Sequence, residues 1–225
     1  MPNLGHRFTE GAQLWAEGKY RKAMAVYQTL LHSEALPDVA RAILCEYLAR
    51  LHVGLNDLTT AEDFLRRAVA LDPDGVDHHV HLANCLCLAG RDEEAWQLIR
   101  RLYRRHPEHP LAIHYLGKML DDRGQHRKGL VLMKKAVHLD PNNERLLSDL
   151  AFSYMRQGNA GAAMVCSEQA MVLNANDQVV RFVHALVSTC ERPSRARQER
   201  PQLGVTRRQR NRKTSLRANA KREVK

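Results

Sequence analysis

Val80 to Pro107 reads VHLANCLCLAGRDEEAWQLIRRLYRRHP, and its spacing decides the fold. Small residues stand at Ala83 and Ala95, where two helices can approach closely, and larger apolar side chains stand beside them at Leu86 and Ile99. Gly90 divides the stretch, because a glycine ends a first helix in a left-handed cap without steric cost. Pro107 closes a second helix of about fourteen residues, since proline lacks the amide that would continue the ladder. The stretch predicts one helical hairpin.

Outward from it, the same marks return every 34 residues. Pro73, Pro107 and Pro141 keep that step, with Ala175 in the next place, and so do Gly90, Gly124 and Gly158. Asn56 stands 34 residues before Gly90, and asparagine tolerates the left-handed conformation better than most side chains. First helices carry a small residue at Gly11, Ala49, Ala83, Gly117 and Ala151, and second helices at Ala23, Ala61, Ala95, Gly129 and Ala163. Larger apolar residues fill in at Leu14, Leu86, Leu120 and Tyr154, then at Tyr27, Leu65, Ile99 and Met133. Two departures stand out. Gly18 to Asn56 is 38 residues, so four are inserted around HSEALPDVA, and the second helix of the first unit or its loop is expected to be longer. Ser167 stands where a bulky side chain is expected, which weakens the packing of the fifth unit.

Small, large, Gly, Ala, aromatic or aliphatic, Ala, Pro at this period resembles the tetratricopeptide repeat family, over about residues 5–175. The resemblance implies an all-α, right-handed α-solenoid of about five helical hairpins, at about 5–38, 42–75, 76–109, 110–143 and 144–175, with the first helices lining a concave groove. Asp177 is expected to cap one more amphipathic helix, over 177–190, that covers the apolar end of the stack. Residues 191–225 have almost no apolar side chains and are expected to form a disordered basic tail.

Composition agrees with this division. The chain is 44% hydrophobic and 27% charged, and its apolar supply of Leu, Ala and Val suits helix-on-helix packing. Residues 191–225 hold thirteen Lys/Arg against three Glu, which is the whole net charge of +10; residues 1–190 carry 22 of each sign. The densest part of the tail, Arg207, Arg208, Arg210, Arg212 and Lys213, offers forks and long-range attraction to the phosphates of RNA or DNA or to an anionic surface. That supports an alternative role as a nucleic-acid- or ribosome-associated protein. Cys45, Cys85, Cys87, Cys166 and Cys190 form no disulfide framework, and all but Cys190 are expected among packed helical positions. With no signal-like or membrane-length apolar run, a cytoplasmic location without membrane insertion is expected.

No phosphate loop, dinucleotide fingerprint or nucleophile elbow occurs in the sequence. His78, His79, His81, Cys85 and Cys87 come nearest to a metal set, yet the packed middle of a repeat helix accounts for the cysteines, and Asp121 with Asp122 reads as a solvated face before Gly124. No catalytic, cofactor or metal residue is therefore assigned. The expected site is the groove, presented by Trp15 in the first unit, Tyr47 and Arg50 in the second, His81 and Asn84 in the third, His114, Tyr115 and Lys118 in the fourth, and Asp149 in the fifth. Family members that grip a terminal carboxylate need a lysine where this chain has Phe8, Glu46, Val80, His114 and Ser148, which argues against that mode. A weaker likeness to secretion chaperones of the family is opposed by the repeat number and the basic tail. The expected function is a non-catalytic scaffold or adaptor that takes a partner peptide or helix in its groove or stacks on a copy of itself.

Overall fold

A computed structural model describes residues 4–33 and 36–198. Eleven α-helices and no strand occur among them. They pair as α1 (Leu4–Ala16) with α2 (Tyr20–Leu31), α3 (Asp38–Gly54) with α4 (Leu58–Leu71), and α5 (Val76–Leu88) with α6 (Asp92–Arg105). Then come α7 (Pro110–Asp122) with α8 (His126–Leu139), α9 (Glu144–Arg156) with α10 (Ala160–Leu173), and a last helix, α11 (Gln178–Gln198). The fold is an all-α helical-repeat solenoid.

Each hairpin turns in the same way. Gly18, Asn56, Gly90, Gly124 and Gly158 have φ of 73°, 60°, 74°, 79° and 76°, so the chain leaves every first helix through a left-handed residue. The next amide then bonds back five residues, Arg91 N to Leu86 O at 2.8 Å and Asp57 N to His52 O at 2.9 Å among others, which satisfies carbonyls that the helix end would otherwise orphan. Within the hairpins the small residues lie at the crossing: Ala49, Ala61, Ala95, Ala151 and Ala163 are fully buried. Leu65 and Ile99, 1% and 0% exposed, each contribute about 1.5–3 kcal/mol of burial. Between hairpins, α3, α5, α7, α9 and α11 form a continuous row, each packed on the next.

The insertion is placed differently from the expectation. The linker between α2 and α3 spans residues 32–37, two longer than the four-residue linker at 72–75, but α2 is two residues shorter than α4, so these cancel. The four extra residues lengthen α3, which has 17 residues where α5, α7 and α9 have 13. Asp177 caps α11 as expected, its Oδ1 accepting from Val179 N at 2.7 Å and Val180 N at 3.0 Å. The helix continues to Gln198, taking in the first eight residues of the expected disordered tail. Ser167 is 1% exposed and sits 3.2 Å from His184 Nδ1, so α11 packs over the place a larger side chain would have filled.

Candidate functional site: the concave groove

Seven of the nine expected groove residues line one open groove of about 1080 Å³: Trp15, Arg50, His81, Asn84, Tyr115, Lys118 and Asp149. It runs along the row of first helices and ends against Val179 and Val180 of α11. At one end the Arg50 guanidinium lies 4.8 Å from the Trp15 ring and 5.4 Å from the Tyr47 ring, a cation stacked on two aromatic faces. Further along, Asn84 donates to the Tyr115 hydroxyl at 3.2 Å, and Lys118 and Arg145 stand 5.7 and 5.9 Å from the Tyr115 ring. Lys118 reaches Asp149 at 3.7 Å.

Tyr47 and His114 do not line the groove. Tyr47 is half-buried, its ring packed edge-on to Phe8 and Trp15 and tilted against Tyr27 at 5.3–5.6 Å. Tyr27 beneath it is fully buried with no partner for its hydroxyl among the described residues, and burial holds that hydroxyl's pKa up at about 12. His114 is fully buried and donates from Nε2 to Asp149 Oδ2 at 2.9 Å, linking α7 to α9, while its Nδ1 has no partner among the described residues. Burial pushes the Asp149 carboxyl up, but the bond from His114 and the charge of Lys118 outweigh it and hold the group down at about 2. It is therefore ionised near neutral pH.

A second buried polar link ties α3 to α5. Glu46, 8% exposed, accepts from His78 Nδ1 at 2.7 Å and lies 3.2 Å from His81 Nε2, while His78 Nε2 stands 3.5 Å from Asp72. Burial would raise the Glu46 pKa, yet the two histidines overcome it and hold it at about 2. His78 moves the other way: burial lowers its pKa, and the contact with Glu46, helped by the charges of Asp72 and Asp77, raises it above the ordinary value. The histidines thus have partners other than a metal. His79 bonds to the carbonyl of Gly75 at 2.9 Å, and among the described residues no three His, Cys, Asp or Glu side chains are grouped to hold an ion.

Two readings of single residues are corrected. Cys87 is exposed in the groove, not packed, whereas Cys85, two residues earlier, is buried with its Sγ 3.5 Å from the carbonyl oxygen of Leu58. Asp121 is 4% exposed, not solvated: it meets His126 Nδ1 at 2.7 Å, Ser153 Oγ at 3.2 Å and Arg156 at 3.4 Å, joining α7 to α8 and α9. Its neighbour Asp122 is the exposed one. The groove also includes Arg145, Cys87 and Asp122, which sequence reasoning passed over. Helical spacing could have found them: Arg145 is one turn before Asp149, Cys87 three residues after Asn84, and Asp122 four after Lys118. The tail cations Arg207, Arg208, Arg210, Arg212 and Lys213 lie outside the described residues.

Residues 48–110 match a family model described as tetratricopeptide repeat. The chain has the tetratricopeptide-repeat fold. A thermophilic TPR protein of Thermus thermophilus superposes with a TM-score of 0.68 at 19% identity, covering 83% of this chain and 100% of that one. MamA from Desulfovibrio magneticus RS-1 superposes with a TM-score of 0.50 at 17% identity, over 79% of this chain and 98% of that one. A curated relative, the protein O-mannosyl-transferase Tmtc3 of Drosophila melanogaster, is 24% identical over 160 residues, 69% of this chain. The chain spans only 17% of that transferase's length. The tetratricopeptide solenoid is a protein–protein interaction fold, and no described helix is long and apolar enough to cross a membrane.

Proposed function

We propose that this tetratricopeptide-repeat protein is an adaptor that holds an extended peptide or helix of a protein partner in its concave groove. The observation that carries the reading is the groove itself. It is about 1080 Å³ and open along its length, and it mixes aromatic faces, a half-buried amide and charged groups held in place by their neighbours. Preorganised Arg, Tyr and Trp side chains of this kind dominate binding energy at protein interfaces. Neither paired carboxylates in a closed cleft nor an activated nucleophile is assembled among the described residues, so the groove's chemistry is that of recognition.

The test is a display selection of random dodecapeptides on the full chain, followed by titration of the recovered peptides. Binding is read from Trp15 fluorescence in a Trp96→Phe background, so that only the groove tryptophan reports. The expected result is saturable quenching or enhancement that weakens about tenfold in Lys118→Glu, a side chain 41% exposed, with the variant's melting curve confirming that it folds. A selection that recovers nothing, or peptides whose binding ignores Lys118→Glu, would overturn the reading.

A further inference from the structure

The groove's charges are not equally available. Its carboxylates are mostly engaged within the protein: Asp149 by His114 and Lys118, Asp122 by Arg156 at 2.9 Å, Glu144 by Asn174 at 3.2 Å, and Asp177 by the first amides of α11. Asp92 lies in the first turn of α6, where the helix's own amides favour a negative group. Two of its cations are free by comparison. Arg145 is exposed and makes no ion pair within 4 Å among the described residues, only its approach to Tyr115 and a longer-range attraction to Asp149, and Arg50 reaches Glu46 no closer than 3.9 Å while standing 41% exposed over Trp15. A guanidinium laid against an aromatic ring keeps its edge donors for a carboxylate.

The two sites have a defined separation. Arg50 lies on α3 and the Arg145 guanidinium beside Tyr115 on α7, with α5 packed between those helices. Two helix contacts at 8–10 Å put the sites about 16–20 Å apart, which an extended chain at about 3.3 Å per residue covers in about five to six residues. Resting on the groove reading above, we infer that the partner segment is an extended acidic peptide with two side-chain carboxylates about five to six residues apart, one on Arg50 and one on Arg145. The chain's own residues 191–225, at a net +10, would bring cations to cations and are not the occupant. Neither site needs a terminal carboxylate, because both cations stand inside the groove's length.

The display selection on the full chain, run in parallel on an Arg50→Gln/Arg145→Gln variant at physiological salt, tests this. Both side chains are exposed, and an unchanged melting curve of the variant confirms that it folds. The expected result is enrichment of Asp or Glu pairs at separations of five or six, lost on the variant, with each single substitution weakening a recovered peptide about tenfold. Recovered peptides that lack the acidic pair but still depend on Lys118 would overturn the inference and leave the groove reading standing. Acidic peptides retained equally by the double variant would show attraction by the basic tail alone and also overturn it. Recovery of no peptide at all would remove both.

Discussion

Gly129→Ala is expected to destabilise the protein although alanine is the better helix former. A Cβ at Gly129 would lie 2.6 Å from the carbonyl oxygen of Gly117, 2.9 Å from the Asp121 amide and 3.0 Å from Asp121 Cβ. The first two are backbone atoms of α7, so relief requires moving the whole helix. Three other hairpins use alanine pairs at this register, Ala49 with Ala61, Ala83 with Ala95 and Ala151 with Ala163, whereas a Cβ at Gly117 or Gly129 would meet the backbone oxygen of the other glycine at 2.9 or 2.6 Å. Overpacking against backbone costs about 2–3 kcal/mol, against a gain of about 1 kcal/mol from helix propensity. The net loss of about 1–2 kcal/mol lowers Tm by roughly 2–8 °C for a domain of this size. Gly161→Ala supplies the contrast: it is helical with nothing within 4 Å of its added Cβ, and it should gain about 0.4–1 kcal/mol. Melting followed by far-UV circular dichroism reads both. A Gly129→Ala protein that melts at or above the native chain would refute the close-approach argument.

The Glu46–His78 link makes stability depend on pH. His78 is raised in the folded state, so its contribution is whole below its ordinary value of 6.5 and is lost as pH rises through the folded value. Glu46 is depressed, so its contribution is whole above 4.5 and is lost as pH falls toward about 2. The Tm gap between native and Glu46→Gln protein should therefore be widest between pH 4.5 and 6.5; a gap that does not change with pH would remove this account. Asp121→Ala strands Ser153 and part of Arg156 between α7 and α9 and should cost about 1–3 kcal/mol in urea unfolding. Of the cysteines that the structure shows, Cys87 and Cys190 should react with a soluble thiol reagent in the native state while Cys45, Cys85 and Cys166 are protected. Burial, with Asp92 and Asp122 nearby, holds the Cys87 thiol above its ordinary value, so its labelling rate should still be climbing past pH 9.0, and bound peptide should slow it.

The hairpins are readable from sequence because each turn must hold one residue at positive φ and each crossing must hold a small one. Those demands fall on Asn56, Gly90, Gly124 and Gly158 and on the alanine and glycine pairs, all visible as a period. Which polar side chain turns inward is not readable, because on any one helix Asp121 and Asp122, or Cys85 and Cys87, differ by little more than a rotation. The choice is made by the neighbouring repeat. Asp121 is buried because Ser153 and Arg156 arrive from α9, and His114 because Asp149 does. The place of the insertion is hidden for a related reason: extra residues can lengthen either helix or the loop at equal count, and here they lengthen α3.

The polar contacts between helices also explain why the groove offers its charge where it does. Glu46 meets His78 across 32 residues, His114 meets Asp149 across 35, and Asp121 meets Ser153 across 32, so each joins one repeat to the next. In a solenoid every unit contacts only its neighbours, and such links fix the angle between consecutive first helices and hence the curvature of the groove. Two of them, through Glu46 and His114, use the register at which a terminal-carboxylate clamp would need an exposed lysine; here Glu46, Val80, His114 and Ser148 are all buried. With that position committed to the interior, free positive charge is left to Arg50, one turn further along α3, and to Arg145, one turn before Asp149 on α9. Two separated guanidinium groups suit carboxylates spread along a peptide, and the inward links fix the helices that carry them.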